Sequence, residues 1–303
     1  MSDPKLNYVN CLGAVAGHRM AYWDWGNPEA AHAVVCVHGL SRQGRDFDAL
    51  AQALVAKTGG AIRVVCPDVV GRGKSDWLPD PQGYQLPNYA ADMMALLAQL
   101  SPQTKTLDWV GTSMGGLIGM AVCGQTQFPL PVPVRRLVLN DVGPVIQWDA
   151  IVRIGQRLGH VFQFESLQKA ADATWLISST FGPHTPAQWL ELTRHMVKPV
   201  EGAAGEGGAV TLHYDPAIAV SFGAVSQESA AQGEAMLWHL YDAIQAKTLL
   251  LRGAQSDLLT PETARRMGER GPKARLVEFD GVGHAPTLIA VDQVEAVTSF
   301  LLA

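Results

Sequence analysis

Short apolar runs alternate with helical patterns through the first half of the chain. Residues 33–39 (AVVCVHG) and 62–68 (IRVVCPD) lack the apolar–polar alternation of a half-exposed strand, which predicts strands buried on both faces. Between such runs, residues 47–60 and 87–100 carry apolar side chains at helical spacing. Strands separated by helices predict a parallel sheet covered on both sides. The opening residues, 8–26, instead predict a two-stranded antiparallel hairpin.

The pattern changes after Asp141. Residues 144–233 have helical patterns and are rich in large apolar side chains. These are Trp148, Phe162, Phe164, Trp175, Phe181 and Trp189. The strand–helix rhythm resumes with residues 247–253 (KTLLLRG) and ends in a helix at the C-terminus. We therefore predict an α/β core made of residues 1–143 and 234–303, interrupted by a helical domain of residues 144–233.

Composition narrows the classes of partner. The chain has 303 residues, a hydrophobic fraction of 48% and a formal net charge of −5, with no basic run, so neither nucleic acid nor an anionic membrane surface is an expected partner. It contains neither the apolar span of a transmembrane helix nor a secretory leader pattern. The four cysteines are scattered, which predicts reduced thiols and a cytoplasmic location. A small-molecule substrate is the expected partner, and the oligomeric state stays open.

One serine, Ser113, lies between glycines at a position where neither serine nor glycine favours a strand or a helix. Residues 107–119 (LDWVGTSMGGLIG) place Ser113 in a G-x-S-x-G pattern at the point where a predicted strand ends and a predicted helix begins. Such a turn brings the backbone before it against the backbone after it, so only glycine fits at Gly111 and Gly115. The serine is expected to be strained and its hydroxyl exposed at the carboxyl end of the sheet, where α/β proteins bind ligands. A plain N-cap serine is the alternative.

With this motif, the chain resembles the α/β-hydrolase superfamily over nearly its whole length. Further matching stretches are residues 38–41 (HGLS), 67–76 (PDVVGRGKSD), 249–261 (LLLRGAQSDLLTP) and 280–286 (DGVGHAP). The resemblance implies an α/β-hydrolase fold: a mostly parallel, twisted sheet flanked by helices, with residues 144–233 as a helical cap insertion over the site.

A serine hydroxyl needs a base, and the base needs a group that orients it. His284 follows a predicted strand in a glycine-loosened loop, where the superfamily carries its catalytic histidine; His38 is the rival base, although a structural role suits it better. By resemblance, Asp257 is the acid of the triad. Asp141 is the alternative, since a few relatives place the acid after the preceding strand. The chain order Ser…Asp…His agrees with the superfamily.

The resemblance also predicts an oxyanion hole. The backbone N–H of Met114 opens a helix, where amides are unpaired and the dipole favours an anion, and the N–H of Leu40 is the second expected donor. Arg42 is a candidate fork for a substrate carboxylate, and solvated arginines are the common alternative. Trp77 either lines the mouth of the pocket or packs in the core.

Other signals in the sequence fail. Residues 71–75 (GRGKS) end like a phosphate-binding loop, but Asp68 occupies the position of its first glycine, so a structural turn is the better interpretation. No dinucleotide fingerprint and no metal-ligand spacing is present, so neither cofactor nor metal is expected. The sequence thus predicts a serine hydrolase of carboxylic esters with a partly hydrophobic substrate. A lactonase, a C–C bond hydrolase and a low-turnover ligand receptor of the same fold are the alternatives.

Overall fold

The structure is a computed structural model that describes residues 3–13, 17–100, 102–202, 208–223 and 225–303. Its principal sheet contains eight strands. These are β1 (Lys5–Cys11), β2 (His18–Gly26), β3 (His32–Val37), β4 (Arg63–Pro67), β5 (Thr106–Thr112), β6 (Val134–Asn140), β10 (Lys247–Gly253) and β11 (Arg275–Phe279). The helices that flank it are α1 (Asp48–Lys57), α2 (Leu86–Leu100), α3 (Met114–Gly124), α8 (Gln227–Ala243), α9 (Pro261–Glu269) and α10 (Val291–Leu302).

The strand order in this sheet is β1-β2-β4-β3-β5-β6-β10-β11. All pairs from β4 to β11 are parallel, whereas β2 is antiparallel to both β1 and β4. The predicted hairpin of residues 8–26 is therefore present, although residues 14–16 at its turn lie outside the described part of the chain. The central strands are apolar and buried because helices cover both faces of the sheet.

The order places four strand ends side by side. Strand β5 leads to Ser113, and its neighbour β6 leads to Asp141. In the sheet, β10 lies next to β6, and β11 lies next to β10. The loop of His284 comes after β11. Because parallel strands end at the same edge, these loops meet above the carboxyl end of the sheet.

The segment between β6 and β10 contains both helices and strands. Besides α8, its helices are α4 (Trp148–Leu158), α5 (Leu167–Ser178), α6 (Pro186–Met196) and α7 (Ala219–Gly223). A three-stranded antiparallel sheet, which the helical patterns did not predict, joins β7 (Gln163–Phe164), β9 (Val210–Leu212) and β8 (Val197–Pro199). Helix α8 runs across the predicted boundary at residue 233. The division of the chain into core and cap stays a prediction.

Aromatic side chains of this segment form a cluster of their own. The rings of Trp175 and Phe181 pack against Trp189, which is buried, and Ile289, in the loop before α10, contacts the same cluster. Phe162, by contrast, is 45% exposed. Some of the large apolar side chains of this segment thus pack into a shared interior, and others do not.

Candidate active site

The turn between β5 and α3 is as cramped as the sequence predicted. Ser113 has φ of 52° and ψ of −117°, a backbone conformation that side-chain-bearing residues rarely adopt. A Cβ atom at Gly111 would collide with the carbonyl oxygen of Gly115, and one at Gly115 would collide with the carbonyl oxygen of Val37. Glycine at both positions therefore lets the chain turn from strand to helix within one residue.

A chain of hydrogen bonds leads from this serine into the protein. Nε2 of His284 lies 2.9 Å from Oγ of Ser113, and Nδ1 of the same ring lies 2.7 Å from Oδ2 of Asp141. With the ring proton on Nδ1, the imidazole donates to the carboxylate and accepts from the hydroxyl. Ser113 and His284 are thus brought together, as the sequence predicted, and the group that contacts the second ring nitrogen is Asp141.

The expectation that Asp257 contacts His284 is wrong in this structure. The side chain of Asp257 is 57% exposed, and its Oδ2 accepts a hydrogen bond of 2.5 Å from Nη2 of Arg153. Strand β10 ends four positions before Asp257, and the turn that follows directs Ser256 inward and Asp257 outward. The carboxylate of Asp141 occupies the place expected for Asp257.

The environment of Asp141 stabilises an inward-facing carboxylate. The residue is fully buried, has φ of 56°, and donates its backbone N–H to the carbonyl of Leu251 at 2.8 Å. Its Oδ1 accepts the N–H of Gly253 at 2.9 Å, and its Oδ2 accepts the hydroxyl of Ser256 at 2.6 Å. The two bonds and the imidazole together satisfy a buried charge.

Two backbone amides near Ser113 belong to the predicted oxyanion hole. Within the described residues, neither the N–H of Leu40 nor that of Met114 donates a hydrogen bond to another protein group. Met114 is the first residue of α3, so its amide belongs to the helix N-terminus, where the dipole favours negative charge. Contact of either N–H with a substrate oxygen stays a prediction.

His38, the rival base, is hydrogen-bonded to backbone groups through both ring nitrogens. It is fully buried, its Nδ1 donates to the carbonyl of Gly39 at 2.7 Å, and its Nε2 accepts the N–H of Val69 at 2.9 Å. Burial lowers the pKa of His38 to about 3, so the ring is neutral near pH 7. Both ring nitrogens are occupied, and the side chain ties the loop of Leu40 to the loop after β4.

The two candidate binding residues differ in their surroundings. The guanidinium of Arg42 forms two hydrogen bonds with Asp46, at 2.5 and 2.8 Å, so a substrate carboxylate would have to compete with that residue. Trp77 is 42% exposed, and Nζ of Lys198 lies 4.4 Å from the centroid of its ring. Contact of either residue with substrate stays a prediction.

Sequence reasoning missed several residues that support the site. Asn140 donates from Nδ2 to Oγ1 of Thr112 at 3.0 Å and to the carbonyl of Pro286 at 2.8 Å, which ties β6 to the loop of His284. His184, in the loop before α6, lies 2.8 Å through Nε2 from Oγ1 of Thr287. A polar residue at a strand end is a weak signal for Asn140, and no pattern in the sequence marks His184.

One buried group among the described residues has the composition of a metal site. The potential ligand atoms of Cys11, His18 and Asp92 all lie within 4.8 Å of one another, beneath the β1–β2 hairpin. Nε2 of His18 lies 2.9 Å from Oδ2 of Asp92, and burial raises the pKa of the Cys11 thiol. A protonated thiol and a paired imidazole fit a buried polar contact that links the hairpin to α2.

No helix within the described ranges combines the length and the apolar character that crossing a bilayer requires. All four cysteines are free. The cytoplasmic location stays a prediction.

Known proteins with similar sequences and structures place the chain in a family. The sequence profile of the Alpha/beta hydrolase family matches residues 34–297. The 3-hydroxybutyrate-oligomer hydrolase of Cupriavidus necator is 46% identical over 300 residues, which cover 99% of this chain and 98% of that protein. Over nearly their full lengths, the two sequences are therefore similar.

Solved structures agree. An alpha/beta hydrolase from Novosphingobium aromaticivorans superposes with a TM-score of 0.81 at 31% identity, over 100% of this chain and 99% of that one. A structure from Rickettsia typhi superposes with a TM-score of 0.84 at 26% identity, over 98% and 99% of the two chains. Both the sequence and the architecture lead to one assignment: this chain belongs to the alpha/beta hydrolase family and is a hydrolase.

Proposed function

We propose that the chain hydrolyses carboxylic esters through a triad of Ser113, His284 and Asp141, and that its substrates are short oligoesters of 3-hydroxy acids. The hydrogen-bond chain from the serine hydroxyl through the imidazole to a buried carboxylate carries this proposal. A hydroxyl that donates to an imidazole, which is itself held by a carboxylate, is an activated nucleophile.

In the acylation step, Oγ of Ser113 attacks the ester carbonyl carbon while its proton moves to Nε2 of His284. The negative charge on the former carbonyl oxygen lies between the N–H groups of Leu40 and Met114, and Asp141 stabilises the imidazolium. When the tetrahedral intermediate breaks down, the C–O bond of the ester is cleaved and the imidazolium gives its proton to the leaving alkoxide. The alcohol product departs, and the acyl group stays on the serine.

In the deacylation step, a water molecule replaces the alcohol. His284 takes a proton from this water as its oxygen attacks the acyl carbon, and then returns the proton to Oγ of Ser113 when the second C–O bond breaks. Each cycle therefore consumes one water and yields one carboxylic acid and one alcohol. With an oligoester of 3-hydroxybutyrate, both products are hydroxy acids or shorter oligomers.

The similarity to the Cupriavidus necator protein supports the substrate class. That relative is named for its hydrolysis of 3-hydroxybutyrate oligomers, and its similarity extends over nearly all of both chains. The segment of residues 144–233 lies within this similarity, so a pocket of related shape is expected. The ester linkage of such an oligomer is the bond that this triad cleaves.

The experiment has two parts. A fluorophosphonate probe is expected to label the wild-type protein at Ser113 and not the Ser113→Ala variant, and Ser299→Ala, which alters an exposed serine on α10, serves as the control that keeps its labelling. Chromatography of reactions with the 3-hydroxybutyrate dimer and trimer then measures release of the monomer. We expect Ser113→Ala to lower kcat by at least about 10³-fold.

Different failures have different meanings. Absence of probe labelling in a folded protein would overturn the assignment of the site. Labelling with kcat/KM for p-nitrophenyl butyrate far above that for the dimer and trimer would refute the oligoester substrate and keep the esterase. Turnover of lactones alone would favour a lactonase, and labelling without turnover of any ester or lactone would favour a C–C bond hydrolase or a ligand receptor.

A further inference from the structure

The GRGKS stretch contains a buried cation that the triad does not explain. Arg72 is fully buried, and no carboxylate in the described part of the chain lies within ion-pair distance of its guanidinium. Transfer of a guanidinium from water to the protein interior without an anionic partner costs free energy, and hydrogen bonds to neutral groups must offset that cost. The contacts of this guanidinium therefore indicate what the charge is for.

The guanidinium connects the two halves of the oxyanion pocket. Its Nε donates to the carbonyl oxygen of Leu40 at 2.8 Å, and its Nη2 lies 3.6 Å from Sδ of Met114. Its Nη1 donates to the carbonyl of Val70 at 2.7 Å and to the hydroxyl of Tyr89 at 3.0 Å. Leu40 and Met114 are the two residues whose N–H groups the proposed function assigns to the oxyanion.

The two flanking glycines let Arg72 reach this place. Gly71 has φ of 83° and Gly73 has φ of 52°, values that strain other residues. A Cβ atom at Gly71 would lie 2.6 Å from the ring of Tyr84, and one at Gly73 would collide with the carboxylate of Asp68. The tight backbone on both sides directs the arginine side chain into the protein.

The same stretch also contacts the segment between β6 and β10. The N–H of Gly73 donates to the carbonyl of His213 at 3.0 Å, and the N–H of Asp215 donates to the carbonyl of Gly71 at 2.8 Å. The backbone around Arg72 is thus held from one side by this segment, while its side chain holds the loop of Leu40 on the other. Such support keeps a group in position without reorganisation during the reaction.

We infer that Arg72 is a positioning residue of the oxyanion pocket, which holds Leu40 and Met114 in place and adds an uncompensated positive charge behind them. This inference rests on the proposed function, in which a neutral ester becomes a negatively charged tetrahedral intermediate. A fixed positive charge that is itself buried stabilises that intermediate more than it stabilises the ester. Its removal therefore lowers kcat and leaves KM nearly unchanged.

The test compares Arg72→Met, Arg72→Lys and Arg136→Met with the wild type on p-nitrophenyl butyrate. Arg136 is also a buried guanidinium that donates to backbone carbonyls, those of Leu301 and Ala303, but it lies near the opposite end of β6 from the site. We expect Arg72→Met to lower kcat about 10- to 30-fold with KM within about twofold, because it removes support for donors that are each worth about 10²-fold or more. Arg72→Lys keeps the charge and is expected to lose only about threefold.

An inhibitor measures the charge effect directly. A trifluoromethyl ketone forms an anionic adduct with the serine, so its inhibition constant for Arg72→Met should rise by the factor by which kcat/KM falls. Arg136→Met should keep kcat, KM and the inhibition constant of the wild type, whatever its melting temperature. A wild-type kcat in Arg72→Met, or a rise of KM at unchanged kcat, would overturn the inference.

The test remains interpretable if a variant does not fold or if the wild type has no activity. If Arg72→Met does not fold, Arg72→Lys decides: a lower kcat at unchanged KM supports the inference, and a wild-type kcat overturns it. If the wild type itself neither reacts with the fluorophosphonate nor hydrolyses esters, the proposed function fails first. An active wild type with an equally active, folded Arg72→Met variant would contradict only the role of Arg72.

Discussion

Asp141 and Asp257 both follow a strand of the parallel sheet, yet only Asp141 contacts the imidazole of His284. Asp141 comes directly after β6, is fully buried and has three hydrogen-bonded neighbours around its carboxylate. Asp257 comes four residues after β10, is 57% exposed and pairs with Arg153. Whether an aspartate at a strand end contacts the histidine therefore depends on the direction in which its turn points the carboxylate.

In this structure, Asp141 at the end of β6 contacts His284 in place of the aspartate expected after β10. Strand β6 lies between β5 and β10, so the carboxyl end of β6 is adjacent to the turn of Ser113. The loop after β10 still contributes to the site, because Ser256 donates to Asp141 where a carboxylate from that loop was expected. In the proposed triad, the loop after β6 thus carries the carboxylate and the loop after β10 carries a hydrogen-bond donor to it.

The largest expected effect separates the two aspartates. Asp141→Asn should lower kcat about 10⁴-fold, the size of the effect of an equivalent change in the serine protease triad, because an amide that donates to Nδ1 of His284 puts the ring proton on Nε2, which then cannot accept the serine proton. Asp257→Asn is the matched control and should stay within about twofold of the wild type, since its side chain faces solvent. Steady-state hydrolysis of p-nitrophenyl butyrate measures both. Loss of activity in Asp257→Asn with retention in Asp141→Asn would reverse the assignment.

Exchanging the two groups tests whether the loop after β10 is able to carry the charge. Oγ of Ser256 lies only 2.6 Å from Oδ2 of Asp141, so a carboxylate at position 256 would stand near Nδ1 of His284. We expect the Asp141→Ser, Ser256→Asp double variant to recover about tenfold in kcat over Asp141→Ser alone. A double variant no faster than the single one would show that the backbone turn at 141 is indispensable.

A smaller effect is expected when the donor alone is removed. Ser256→Ala deletes one hydrogen bond to the Asp141 carboxylate and leaves the N–H of Gly253 in place. One such bond contributes about 1 kcal/mol, which corresponds to a fall in kcat of about fivefold. The neighbouring Asp257→Ala variant is the control in the same assay. Wild-type kcat in Ser256→Ala would mean that the hydroxyl does not support the acid.

The smallest effect concerns the exposed pair. Arg153 and Asp257 are 42% and 57% exposed, so solvent screens their attraction, and we expect a coupling energy below about 1 kcal/mol. Urea unfolding of Arg153→Ala, Asp257→Ala and the double variant gives this energy from a double-mutant cycle. A coupling above about 2 kcal/mol would show that the pair is a structural link between helix α4 and the loop after β10.

Elements with long apolar patterns were predictable from the sequence. Residues 247–253 form β10 over the predicted range, and the helix predicted at residues 87–100 is α2 (Leu86–Leu100). The two- and three-residue strands β7, β8 and β9 were not predictable, because so short a strand has no periodicity of its own. They form because three segments distant in the sequence pair with one another.

What the sequence determined by itself was the turn of Ser113, since two glycines at this spacing permit a backbone reversal that other residues would obstruct, and the position of His284 in the loop after the last strand. Only the tertiary structure decided between Asp141 and Asp257, and only it brought Arg72 behind Leu40 and Met114. Both outcomes depend on which strand ends lie side by side and on which way each turn points a side chain. Those are properties of distant contacts, which local pattern does not encode.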